Sequence, residues 1–121
     1  MAVNPQAAVE ILQRRFSQSH QDDERRAAEL RRLLPPLVDL LVQEFQVRRV
    51  VLFGSLARGY ARAGADIDLA VEGLEPADYF SALSRALEVA GGRVDLIRLE
   101  EAPERLERII AERGEVLHDS R

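Results

Sequence analysis

From Arg48 the hydrophobic period of this chain changes, and the change limits what it can build. Up to Phe45 the apolar residues recur at three- and four-residue spacing, the mark of helices that bury one stripe. From Val50 they gather into short runs rich in β-branched residues and closed by glycine, which is how strands read. Asn4-Pro5 predicts a helix through about Phe16, with Ser17 to Gln21 as a connector. Asp22 or Asp23 predicts the cap of a second helix to about Leu34. Pro35-Pro36 must break or kink it, and a third helix is expected over Leu37 to Phe45.

Beyond this point Val50-Val51-Leu52-Phe53, closed by Gly54-Ser55, predicts a buried strand. Asp66 to Val71 alternates strictly and predicts a half-buried one, ended by Gly73. Pro76 opens a helix with Tyr79, Phe80, Leu83, Ala86, Leu87 and Ala90 on one face, stopped by Gly91-Gly92. Val94 to Ile97 is a third strand. Pro103 starts a last helix with Leu106, Ile109 and Ile110 inward, and Val116-Leu117 adds an edge strand before a loose His118-Asp119 tail. The expected class is therefore α/β: a mixed sheet of about four strands with helices packed on it, plus extra N-terminal helices. The link between the first two strands is too short for a comfortable parallel crossover, so those two are expected to be antiparallel. Residues 1–36 form a helical extension in this reading and residues 37–121 the main domain.

Composition removes whole classes of chemistry. The 121 residues include no cysteine, which excludes disulfides, thiolate metal sites and a cysteine nucleophile. All 17 basic residues are arginine, so Walker-type phosphate loops and Schiff-base chemistry are out. His20 and His118 sit at opposite ends of the chain, which disfavours a histidine metal site. The net charge of −4 argues against direct binding of duplex nucleic acid. No apolar run approaches a membrane span or a signal segment, so a soluble, cytoplasmic protein is expected. Carboxylates, hydroxyls, backbone amides and arginines remain to carry function.

Three features use those groups. Gly54-Ser55 follows a buried strand directly, where glycine lets the backbone turn sharply beside a ligand and serine offers a hydroxyl and an amide; an ordinary strand-ending turn would look the same. Asp66 and Asp68 stand at i and i+2 on one strand face and can aim at a common point or at two metal ions. Aspartate is depleted in strands, although a solvated face also carries alternating charge. Asp95 lies inside an apolar strand; if that strand neighbours the Asp66 strand it completes a three-carboxylate cluster, and otherwise it is a partner for Arg93 or Arg98. Together they describe a two-metal phosphoryl-transfer site.

Gly54-Ser55, ten residues, then Asp66-Ile67-Asp68 resembles the signature of the DNA polymerase beta-like nucleotidyltransferases. The fuller stretch, Leu52 to Gly59 followed by Asp66-Ile67-Asp68-Leu69, resembles the minimal nucleotidyltransferases (MNT). These are small domains usually paired with a HEPN-domain protein in prokaryotic toxin–antitoxin modules. The likeness spans about residues 37–117; Ala65 departs from it, since many members have serine before the first aspartate. The resemblance implies that Gly54, Ser55 and Arg58 hold the phosphates of ATP, with Arg62 the next nearest cation. It implies that Asp66 and Asp68 bind two Mg²⁺ ions, and that Asp95 holds the catalytic metal and helps deprotonate an acceptor hydroxyl. It further implies an antitoxin of a type VII-like module that places AMP on a HEPN toxin, on tyrosine, as part of a hetero-complex or homo-oligomer. Two rivals stand beside it. One is an antitoxin that neutralises by binding alone, through the N-terminal helices or the Arg105/Arg108 face. The other is a nucleotidyltransferase for small molecules, which would usually need an added substrate domain.

Overall fold

The computed structural model describes residues 4–121. Helix α1 runs over Pro5–Arg31. Asn4 caps it, its side chain accepting from the Gln6 N–H at 3.0 Å, and Pro5 occupies the first turn. The helix passes straight through Ser17 to Gln21, where a connector was expected, so one helix replaces two. Nothing in that stretch is Gly or Pro. Serine and glutamine only weaken a helix, and extending an existing one adds a hydrogen bond per residue at little cost. Asp23 is accordingly not a cap; it pairs with Arg26 one turn on.

The break falls at Arg32 and Leu33, and helix α2 covers Leu34–Phe45. Pro35 and Pro36 lie in its first turn, where the missing N–H groups have no intrahelical partner to lose. They therefore start α2 rather than interrupt its predecessor.

Four strands follow: β1 (Arg49–Phe53), β2 (Ile67–Glu72), β3 (Val94–Arg98) and β4 (Glu115–Asp119). Their order in the sheet is β3-β2-β1-β4, with β1 antiparallel to β2 and to β4, and β2 parallel to β3. The mixed sheet is the expected one. A helical turn, α3 (Gly54–Ala57), follows β1; helix α4 (Tyr79–Ala90) makes the crossover that parallel pairing requires, and helix α5 (Glu104–Arg113) precedes β4. His118 and Asp119 are part of β4 rather than a loose tail, and the His118 side chain is partly buried.

The two sheet faces are covered unequally. Val50, Leu52, Ile67, Leu69, Val71 and Leu96 face α2 and α4 and share one core with Leu37, Leu41, Ala82 and Ala86. The other face carries Val51 and Ala70, packed only on Ile110 of α5 with Phe53, Ile97 and Leu106 around them. Strand β2 is thus buried on both sides from Leu69 to Val71, and only its start is half-buried, contrary to the alternation. Two residues expected inward are not: Phe80 is 79% exposed, edge-on to Tyr79, and Ile109 is 40% exposed. The small side chains of Ala82, Ala86 and Ala90 bring α4 close to the sheet and turn Phe80 outward. Among the described residues no helix is long and apolar enough to cross a membrane.

Candidate active site

Strand β1 ends in a turn that only glycine fits. Gly54 has φ +78°, in the left-handed region that L side chains avoid. A Cβ there would overlap Asp68 Oδ2 and stand 3.1 Å from Asp68 Cγ. The pairing explains the closeness: Phe53 lies opposite Asp68 in the β1–β2 register, so the turn necessarily passes the acid. Ser55 follows inside the turn, partly buried.

The three predicted acids reach the same end of the sheet by two routes. Asp68 is the second residue of β2 and takes the face opposite Ile67, and Asp66 immediately precedes the strand. Asp95 is the register partner of Asp68 across the parallel β2–β3 pair. Asp68 and Asp95 share the face of Ala70 and Ile97, which α5 covers farther along the strands. Asp66 and Asp95 are exposed and Asp68 is partly buried. Burial raises the Asp68 carboxyl from 3.8 to about 6, and the charges of Asp95 and then Asp66 push it the same way. Those two couplings put Asp95 and Asp66 each within electrostatic reach of Asp68.

Among the described residues Asp95 has no ion-pair partner. Arg98 instead donates to the Leu74 carbonyl at 2.7 Å and pairs with Glu101. Among the described residues, no three His, Cys, Asp or Glu side chains stand close enough to form a ready-made metal cage. What the site offers is three carboxylates on one open sheet end, a donor set of hard oxygens that suits Mg²⁺. Their mutual repulsion is relieved by a cation.

Arg58 ends the α3 turn, exposed, with its guanidinium 5.5 Å from the centre of the Tyr60 ring. A cleft of about 250 Å³ adjoins Gly54, lined by Phe53, Gly54, Arg58, Ile109 and Arg113. Arg62 is exposed and is not part of that lining.

The sequence showed no part for α1 in this site, yet α1 supports it. Arg26 Nε donates to the Ala61 carbonyl at 3.0 Å, and the Ala61 N–H donates to the Asp23 carbonyl at 3.1 Å. Arg31 reaches the Leu56 carbonyl at 3.3 Å and pairs with Glu115 at 3.0 Å. The loop between the glycine turn and the acids therefore leans on the second half of α1. Contacts between residues 35 apart leave no local pattern to read.

Comparison with known proteins gives the family and the fold. The profile of the polymerase beta nucleotidyltransferase family matches residues 36–121. The chain belongs to that family. Among solved structures it is similar to a protein described as a candidate minimal nucleotidyltransferase, 27% identical, with a TM-score of 0.64 over 74% of this chain and 93% of the other. It is also similar to a toxin–antitoxin structure with AMP-PNP, at 24% identity and TM-score 0.62, covering 70% of this chain and 72% of that one. A third similar structure holds a tri-AMPylated Shewanella oneidensis HEPN toxin with its MNT antitoxin, at 21% identity and TM-score 0.60, covering 74% and 72%. No curated protein matches the sequence significantly.

Proposed function

We propose that this chain transfers AMP from ATP to a hydroxyl, a tyrosine of a HEPN-domain toxin, and so acts as the antitoxin of that partner. The observation that carries the reading is that Asp68 and Asp95 are register partners at the open sheet end, with Asp66 two residues before Asp68, beside a turn with room for nothing but glycine. The similar structures named above add weight, since one holds a nucleotide analogue and another an AMPylated toxin.

Asp66, Asp68 and Asp95 would hold Mg²⁺. Their fit rests on the charge-strained Asp68 carboxyl and on the absence of any arginine partner for Asp95. Bound there, the metal supplies charge neutralisation and Lewis acidity at the α-phosphoryl group. The chain's own residues do the rest. Gly54 lets a phosphate approach the backbone, and Ser55 offers it a hydroxyl and an amide. Arg58 supplies a guanidinium for the phosphates. Asp95, exposed on the edge strand, takes the hydroxyl proton. The acceptor oxygen bonds to the α-phosphorus, the bond to the β-phosphate oxygen breaks, and pyrophosphate leaves. Such a reaction needs positioning and charge stabilisation more than covalent help from the protein. In this reading residues 1–36 are a supporting extension and 37–121 the catalytic unit.

The test is transfer of label from ATP carrying radioactive α-phosphorus to the partner toxin in the presence of Mg²⁺. The wild type labels the toxin; Asp66→Asn combined with Asp68→Asn falls by at least about a thousandfold. Equal labelling by the double variant would falsify the assignment.

One observation favours a second reading, neutralisation by contact alone. The first half of α1 leaves Val9, Leu12 and Phe16 in solvent, with Phe16 77% exposed. On that reading the same double variant still protects cells from the toxin.

A further inference from the structure

The cleft beside Gly54 draws on an arginine from far outside the motif. Strand β4 begins at Glu115, whose partner on β1 is Leu52. Arg113, two residues before that pair, lines the same cleft as Gly54, two residues beyond Leu52. The end of α5 is pinned there. Ile110 is buried against Val51 and Ala70, and a Cβ on Gly114 would overlap the Ile110 carbonyl and Val51 Cγ1. Arg113, the last residue of α5, is thereby fixed on the cleft that Arg58 also lines.

Charge is segregated across Gly54. The carboxylates of Asp66, Asp68 and Asp95 gather where β2 and β3 begin; the guanidiniums of Arg58 and Arg113 line the cleft, which has no carboxylate on its walls. Both arginines are exposed, and no described carboxylate forms an ion pair with either. Two cations sharing a small cleft repel unless an anion lies between them. At about 250 Å³ the cleft falls below the usual size of a site for a whole small molecule, and it suits the polyphosphate end of one.

We infer that Arg113, together with Arg58, grips the terminal phosphates of the nucleoside triphosphate and then the departing pyrophosphate, on the side of Gly54 away from the carboxylates. The inference rests on the nucleotidyltransferase reading and adds to it a residue from the last helix. Guanidinium forks bind phosphate oxygens two at a time, which a point charge does not do. The position also suits a cation for a simpler reason, since the C-terminal end of a helix stabilises positive charge. The test therefore has to separate fork from charge.

Calorimetric titration of the full chain in Mg²⁺ does so, with ATP, AMP and tripolyphosphate as probes. Arg113→Gln weakens ATP and tripolyphosphate about tenfold and leaves AMP within about twofold, the loss expected for one charge-assisted pair. Arg113→Lys keeps the charge without the fork and falls between the two. Unchanged ATP affinity in Arg113→Gln overturns the inference while nucleotide binding itself stands. An equal loss for AMP also overturns it, placing Arg113 on the nucleoside instead. A wild type that binds neither ATP nor tripolyphosphate removes the nucleotidyltransferase reading, and this inference with it.

Discussion

Two faces of one sheet have separate tasks. On the face toward α2 and α4, Leu69, Val71 and Leu96 are sealed under helices. On the other, α5 covers Ala70 and Val51 and then ends its contact, leaving Asp66, Asp68 and Asp95 at the open end. Neighbouring residues of β2 therefore differ completely in environment: Leu69 is fully buried, while Asp68 keeps water access and like-charged neighbours. Because a strand alternates its side chains, the half-buried Asp68 and the sealed Ile67 and Leu69 interleave within the same six residues. Damage to one face should leave the other intact.

A crossed pair of variants tests that separation, and its effects are the largest expected. Asp66→Asn with Asp68→Asn removes transfer while the melting temperature holds or rises. Leu41→Ala, a fully buried change on the sealed face, does the reverse. It should cost about 2–5 kcal/mol, or about 8–20 °C in Tm, with activity per folded molecule kept. Loss of activity in Leu41→Ala beyond its loss of folded protein would show that the faces are coupled. Gly54→Ala is the next largest and should breach the separation. Its Cβ meets Asp68 Oδ2, and the positive φ adds about 1 kcal/mol of strain, so thermal stability and transfer both fall.

Much of this arrangement is legible in the sequence because its signals are local. The switch of period at residue 48, the glycine closing β1 and the i, i+2 acids give the strands, the turn and the shared face. The antiparallel β1–β2 pair follows from the short link alone. Three things are not legible, each for a physical reason. Ser17 to Gln21 carries loop-like residues, but a helix already formed on both sides extends through them. The burial of Ala70 depends on α5, forty residues later, so β2 reads as half-buried when it is central. Asp95 is readable as an oddity in an apolar run, but its meeting with Asp68 is set by the parallel pairing of β2 and β3, which no local pattern records. Arg113 has no motif around it at all; only the packing of α5 and β4 beside β1 brings it to the cleft at Gly54.

Asp68 makes the division between the faces measurable without any substrate. Its folded carboxyl titrates near 6 against 3.8 when free, so the native state holds the proton more tightly than the unfolded chain. The contribution to stability is fully present below about pH 4 and is lost as pH rises through about 6. Above that, the ionised group costs stability. With solvent screening of this half-exposed carboxylate, the cost is about 1 kcal/mol, or about 4 °C. In a chelating buffer, Asp68→Asn should melt higher than the wild type at pH 8, and the gap should close by pH 4. A gap that persists at pH 4 would assign the effect to packing rather than to charge.

The smallest expected effect bears on the boundary between the faces. Arg26 holds the loop that carries Asp66 by a single bond to the Ala61 carbonyl, while Asp23 accepts from the Ala61 N–H through its backbone. Arg26→Ala removes one of the two ties, and a bond of this kind contributes about 1 kcal/mol. Ala61 is fully buried, so its carbonyl loses a partner that water cannot readily replace. The acids themselves are untouched, and their strand is fixed by β1 and β3. The loop before them should open more often, seen as faster proteolysis between Gly59 and Asp66, and KM for ATP should rise more than kcat falls. Arg26→Lys, which can still reach the carbonyl, should recover part of both. If Arg26→Ala instead lowers kcat as steeply as the aspartate variants, then α1 acts on the chemistry itself, and the open face is less independent of its supports than the sheet geometry indicates.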